Sequence, residues 1–306
     1  MSGPVTDRDE PPIAAEAATA TGIEITAPKA SRVGSLLVQR MLPRRGRRTV
    51  GPWCFADVMG PVADAASGGI GPHPHIGLQT VTWLLDGELL HRDSLGSEQP
   101  IHPGQLNLMT AGHGVAHAEE SHTSGSLHGI QLWIAQPEAT RHGAPAFEHH
   151  ADLPGTELPG CDVTVLVGEL VGARSPARCD TEHVGAELRL RGSVDIPVAP
   201  SFEHAVLAVD RDLLVDGEAV PAGHLAYAGP GRLSLALEAR DPAKALLLGG
   251  VPLPDELVMW WNYVGRDRAE VREAHAAWTA RDPRFGTVTS SLDPVDVGPP
   301  PWSPDR

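Results

Sequence analysis

The sequence predicts an all-β fold of two barrel or sandwich units, with one short helix near the C-terminus. Three observations carry this prediction. The chain of 306 residues holds 33 Gly and 29 Pro, a density that breaks it into short elements. Apolar and β-branched runs of strand length recur at short spacing between those breaks. Only the segment from Arg268 to about Ala280 combines helical periodicity with a start signal.

Residues 1 to about 30 are rich in Ala, Thr, Pro and acidic side chains without periodicity, and read as a disordered or loosely attached tail. A first unit is expected over residues 31–150 and a second over 151–306, with the seam between Pro137 and Gly160. From Ser35 an apolar stretch runs into Arg44, Arg45, Arg47 and Arg48, which reads as a solvated loop offsetting an acidic remainder. Thr80, Val81, Thr82 and Trp83 sit in an alternating run that turns at Asp86-Gly87, a hairpin signal. Further strands are expected over 105–109, 129–135, 163–170, 186–190, 205–209, 213–215, 225–227, 233–237 and 245–248. In the late helix Asp267 is the cap, Glu270 completes a capping box, and Val271, Ala274 and Trp278 mark the apolar face. The closing stretch from Gly298 through three prolines to Trp302 reads as an extended strap.

Composition narrows the function. The formal net charge of −15 disfavours direct nucleic-acid binding. With no apolar run long enough to span a bilayer and an acidic N-terminal segment, a cytoplasmic protein without membrane contact is expected. Cys54, Cys161 and Cys179 are widely spaced and read as buried free thiols.

The chemistry concentrates in histidine. Of 15 His, eight (His73, His75, His91, His102, His113, His117, His122 and His128) fall within 56 positions. His73 and His75 are two apart around Pro74, so on a strand both imidazoles leave one face. Parity would put Gln79, Val81, Trp83 and Leu85 on that face too, giving an apolar lumen beneath the imidazoles. His117 and Glu119 repeat the spacing, and Gly112 and Gly114 allow close backbone approach just before them. Two such pairs on neighbouring strands converge as three nitrogens and one oxygen, a set suited to Fe(II), Mn, Ni, Cu or Zn with positions left for substrate. The remaining histidines are expected in supporting, surface or loop positions.

These residues resemble the pirin family, two-barrel members of the cupin superfamily (bicupins). The resemblance is dense from residue 51 to 136: His73-Pro-His-Ile-Gly-Leu-Gln-Thr-Val-Thr-Trp, His91-Arg-Asp-Ser-Leu-Gly, and Pro103-Gly through His117-Ala-Glu119. It implies a single metal ion, most often Fe(II), in the N-terminal barrel on His73, His75, His117 and Glu119, and a metal-free C-terminal barrel. It also implies one of two functions. The first is a quercetin 2,3-dioxygenase-like oxidoreductase, in which Glu119 is the catalytic residue that takes the proton of a small planar phenolic substrate. The second is a metal- or redox-dependent regulator that binds a protein partner. Two positions depart from the family pattern, with Ile76 and Gln79 standing where Arg and Glu are usual, so neutral side chains are expected to replace charged ones at the mouth of the site.

Overall fold

The computed structural model describes residues 22–33, 36–63, 68–121 and 125–303, so His122 and residues 1–21 of the expected tail lie outside it. The fold is all-β with two cupin-type barrels. Each barrel is built from a seven-stranded and a four-stranded antiparallel sheet. In the first, the large sheet runs in the order 146–150, 106–110, 78–86, 127–135, 53–62, 36–42 and 29–33. Its small sheet is ordered Gly68–His75, Val115–Ser121, Leu89–Asp93, Glu98–Ile101.

Alternation along the strands explains how two barrels make one molecule. In Leu78–Asp86, Val81 and Trp83 face the second barrel, whereas Thr82 faces the interior and hydrogen-bonds Glu119. In Leu127–Ala135, Ile130, Leu132 and Ile134 likewise face outward to Leu207, Leu246 and Leu248 of the second barrel, in one buried cluster. Two indoles stitch this seam: Trp53 Nε1 donates to the Gly249 carbonyl at 3.1 Å and Trp83 Nε1 to Glu187 at 2.8 Å. Fully burying such side chains contributes about 1.5–3 kcal/mol each, so the barrels are held by a core and not by a linker.

Both ends of the chain cross between the barrels. Ile23–Thr26 is a strand on the edge of the second barrel, paired with Leu225–Ala228, so the expected tail does not extend to residue 30. Arg47 helps pin it, pairing with Glu24 while its guanidinium stacks 3.4 Å above the Tyr227 ring. At least that member of the arginine cluster therefore belongs to the seam and not to a solvated loop. In the other direction, the hairpin of Val258–Trp260 and Tyr263–Gly265 packs on the first barrel, where Ile76 bridges Tyr263. The helix Arg268–Thr279 follows, with Asp267 accepting from the Glu270 N–H and Val271, Ala274 and Trp278 buried, as expected. The strap returns over the first barrel: Ser290 and Ser291 bond Glu120, and the Val295 N–H donates to the Pro72 carbonyl at 2.8 Å. Helix and strap thus serve the first barrel, although they follow the second in sequence.

Two further expectations change, the hairpin at Asp86-Gly87 and the burial of Cys179. Asp86-Gly87 is a turn, but the strands on either side enter different sheets and do not pair as a hairpin. The segment 137–160 is divided: Ala146–His150 completes the first barrel and Gly155–Leu158 begins the second. Cys54 and Cys161 are buried, their thiols pushed up by burial to about 12 and about 11, whereas Cys179 is exposed.

Two histidines of the second barrel make stability depend on pH. Burial holds both His183 and His204 down at about 4. The His204 ring nitrogens have no hydrogen-bond partner among the described residues, and the residue is 1% exposed. The unfolded chain takes up protons near the ordinary histidine value while the folded one does not, so stability falls as pH drops from about 6.5 toward 4. Each such histidine contributes a slope of about 1.4 kcal/mol per pH unit in that window. Denaturant titrations of the metal-free protein at pH 7 and pH 5 will show this fall, and His204→Leu will flatten it. An unchanged slope in that variant would mean His204 is not held neutral.

Candidate metal centre

The site is built on the small sheet of the first barrel. Gly68–His75 is its edge strand, the place in a sheet that tolerates Pro72 and Pro74. Val115–Ser121 lies between it and Leu89–Asp93. His117 sits opposite His73 on one side and Asp93 on the other, and Glu119 sits opposite His91. Pairs two apart share a face, so all three strands aim ionisable side chains into the barrel.

Close backbone approach fixes where the edge strand ends. Gly77 adopts φ +67°, and a Cβ there would lie 2.2 Å from the Val264 carbonyl oxygen. Gly112, at φ +54°, would bring a Cβ to 2.2 Å from the Gly143 oxygen. The two glycines are joined by the Gly77 N–H to Gly112 carbonyl bond of 3.0 Å, which sets the histidine strands side by side.

The ring protons are assigned by what the rings touch. His73 Nδ1 lies 2.9 Å from the Gly71 carbonyl and His75 Nδ1 2.9 Å from the Asn262 carbonyl. Carbonyls only accept, so both rings carry their proton on Nδ1 and present Nε2 as a lone pair. His75 Nε2 lies 3.1 Å from His117 Nε2. Burial keeps all three rings neutral, with His73 lowered to about 4 and His75 and His117 well below the ordinary value. Burial also raises the Glu119 carboxyl, opposed by His91 and by the Thr82 hydroxyl 2.9 Å away.

Two groups of ligand atoms result, each with its members within 4.8 Å: His73, His75, His117, and His91, His117, Glu119. All four residues expected from the sequence are therefore buried around one cavity, and three share one group. Glu119 falls in the other because the ladder to the edge strand slips between His117 and Glu119, while the ladder to Leu89–Asp93 does not. His91, expected in a supporting, surface or loop position, is buried beside His117. His102 and His113 are exposed and His128 is half-buried.

The cavity is lined by Phe55, Met59, Gln131, Trp133, Trp261 and Val295 beside the imidazoles and Glu119. Val81 and Trp83 are not among the lining residues. The break at Gly77 reverses the parity that would have carried them there, and they fill the seam instead. Ile76 and Gln79 also lie outside the lining: Ile76 packs with Tyr263, and Gln79 bonds Thr110. The departures at these positions therefore leave the charge of the mouth untouched. A second carboxylate, Asp57, does line the cavity, tied to Arg40 by bonds of 2.9 and 2.7 Å.

Several site residues went unseen in the sequence. His91-Arg-Asp93 carries the same two-apart signal as His73-Pro-His75 and was legible on that ground. Asn262 carried none, since it meets His75 across 187 residues of chain. The same holds for Trp261, a non-glycine residue at φ +54°.

Fold and site together define a bicupin whose first barrel carries a His/Glu cluster able to hold a metal ion. Sequence comparison agrees: residues 35–134 match the Pirin model and residues 184–286 the Pirin C-terminal cupin domain. The chain belongs to the pirin family. It is 45% identical over 287 residues to a Pseudomonas aeruginosa protein named "Putative quercetin 2,3-dioxygenase", covering 92% of this chain and 91% of that one. A pirin-like protein of Caulobacter vibrioides is 35% identical over 81% of this chain and 90% of its own length. The crystal structure of quercetin 2,3-dioxygenase from Acinetobacter baumannii superposes with a TM-score of 0.88 at 37% identity, covering 92% of this chain and 96% of that one.

The donor set fits a cation: neutral imidazole lone pairs meeting at close range, with a carboxylate adjoining, are the ligand chemistry of divalent transition metals. Thr82→Val tests the Glu119 environment in metal-free protein. Removing the hydroxyl leaves a buried carboxylate without its donor, at a cost of about 1–3 kcal/mol at pH 7. The loss will be smaller at pH 5, where more of Glu119 is protonated. Equal losses at the two pH values would contradict the raised carboxyl.

Proposed function

We propose that the chain is an Fe(II)-dependent dioxygenase of the quercetin 2,3-dioxygenase type, acting on a flavonol or a similar enolisable phenolic. The observation that carries this reading is the set of neutral imidazoles at the base of an apolar cavity, with a basic carboxylate beside them. His73, His75 and His117 would hold the metal, with Glu119 as the fourth candidate ligand. When bound, the metal supplies Lewis acidity and a place for dioxygen.

The protein's own groups supply the rest. Glu119 takes the proton of the substrate hydroxyl. It is the carboxylate free to act, since Asp57 is committed to Arg40. Gln131 Nε2 is buried without a protein partner and lines the cavity, placed to donate to a substrate carbonyl. Phe55 and Trp133 stack at 4.0 Å as one apolar wall that excludes water.

One observation favours a second reading. The interior offers only about 50 Å³ for the centres of water-sized molecules, although the space reaches about 620 Å³ when the open mouth is counted. A metal-dependent regulator that binds a protein partner needs no more room than this.

Metal analysis of protein purified anaerobically, followed by oxygen uptake with quercetin, separates the readings. The expected result is one metal per chain and uptake stoichiometric with flavonol. A loaded protein without uptake moves the weight to the regulator, and no metal after reconstitution defeats both. His73→Ala and Glu119→Ala are each expected to abolish stoichiometric metal binding with the fold intact. Full occupancy in a His73→Ala/His75→Ala double variant would refute the ligand assignment.

A further inference from the structure

We propose that the buried pair His91–Asp93 is a positioning relay that fixes the proton of His117 and so keeps the cluster open to metal. The proposal rests on the metal-site reading above and concerns residues that reading leaves without a role.

The argument follows the protons. Asp93 is locked in the turn after its strand: Oδ1 accepts the Leu95 and Ser97 N–H groups, each at 2.9 Å. Its other oxygen, Oδ2, lies 3.1 Å from His91 Nε2. A carboxylate in this setting accepts, so His91 donates from Nε2 and its Nδ1 is a lone pair. The ring is held in that orientation by stacking on Phe147, centroids 4.3 Å apart and planes at 12°. The His91 Nδ1 lone pair faces His117 Nδ1 at 3.4 Å. His117 answers it by carrying its proton on Nδ1, which leaves Nε2 bare toward His75 Nε2.

The alternative tautomer shows why this matters. With its proton on Nε2, His117 would donate to the His75 lone pair and close the cluster by an internal hydrogen bond. A metal would then have to break that bond. The relay opposes this state, which would set the Nδ1 lone pairs of His91 and His117 against each other. The relay state leaves the facing lone pairs at Nε2 of His75 and His117 instead, where a cation relieves them. His73 and His75 are fixed by carbonyls, and His117 has His91 and Asp93 in the same office. Such partners of ligating histidines are typically worth about 10- to 100-fold in metal affinity.

The same atoms admit a rival: His91, Glu119 and His117 Nδ1 as a second metal site, with His117 bridging. The relay is favoured because its proton set leaves lone pairs facing one another only among the Nε2 atoms of His73, His75 and His117, where a cation would sit, and stoichiometry decides between them.

Asp93→Asn is the discriminating variant. Its amide oxygen stays on the two backbone N–H groups, so its NH2 faces His91 and reverses the relay without changing its volume. Nitrogen-15 NMR of the histidine rings in metal-free protein will show His117 protonated on Nδ1 in wild type and on Nε2 in Asp93→Asn. Titration with Co(II) will give one ion per chain in wild type and affinity about 10- to 100-fold weaker in Asp93→Asn and in His91→Phe, which keeps the stack on Phe147. Unchanged tautomer and affinity in folded variants would overturn the relay. Two Co(II) per wild-type chain, falling to one in His91→Phe, would overturn it in favour of the second site. No Co(II) bound by wild type would instead count against the metal-site reading itself, while the NMR result still tests the relay.

Discussion

The constraint on which the site depends is that imidazoles taken out of water must each find a use for both ring nitrogens. An unpaired polar group in a dry interior costs a few kcal/mol. The ladder that places Val115–Ser121 between Gly68–His75 and Leu89–Asp93 therefore does more than gather histidines. It supplies fixed acceptors, the Gly71 carbonyl for His73 and Asp93 for His91, so that ring orientation is settled before any ligand arrives. What stays uncompensated is the convergence of lone pairs at the centre, and a cation is the group that relieves it.

That convergence is not the property of one barrel alone. The acceptor for His75 is the Asn262 carbonyl, contributed from beyond the second barrel by a hairpin whose Tyr263 bridges Ile76. The strap then closes over Pro72, and Val295 becomes part of the cavity wall. At the other end, Ile23–Thr26 extends the second barrel. With both termini exchanged and a shared core around Trp53 and Trp83, the site inherits its rigidity from the whole molecule. The hairpin and strap that complete the cavity wall lie outside the two barrels' large sheets.

How much of this was legible follows from which signals are local. Strand positions were, because turn residues and alternation act over a few residues: Leu213–Val215 lies where the pattern put it, and Asp267 caps its helix. The histidine pairs were legible for the same reason, since spacing two on a strand dictates a shared face. Parity failed where backbone geometry interrupts it. Gly77 turns the chain from one sheet into the other, and an extra residue in the edge strand between Ile70 and His73 shifts its ladder against His117 and Glu119, while Glu119 stays paired with His91. A glycine at positive φ leaves little mark in a sequence with 33 of them. Contacts such as Asn262 with His75 leave none, because the sequence records neighbours in the chain and not across a barrel. Nor does the sequence show that Phe55, Trp133 and Trp261, far apart in the chain, gather at this cavity.

The second barrel shows what distinguishes the site from its scaffold. It repeats the arrangement of seven and four strands, yet its interior is Val, Leu, Ile and Ala in one continuous cluster. The same architecture filled with aliphatic side chains is a core, and filled with paired imidazoles and carboxylates it is a candidate reaction chamber. Through the seam at Trp83 and Glu187 the aliphatic barrel buttresses the sheet whose inner face presents Thr82 to Glu119. Placing stability in one barrel and chemistry in the other lets the first tolerate buried, hydrogen-bonded polar groups that a small domain alone would support with difficulty.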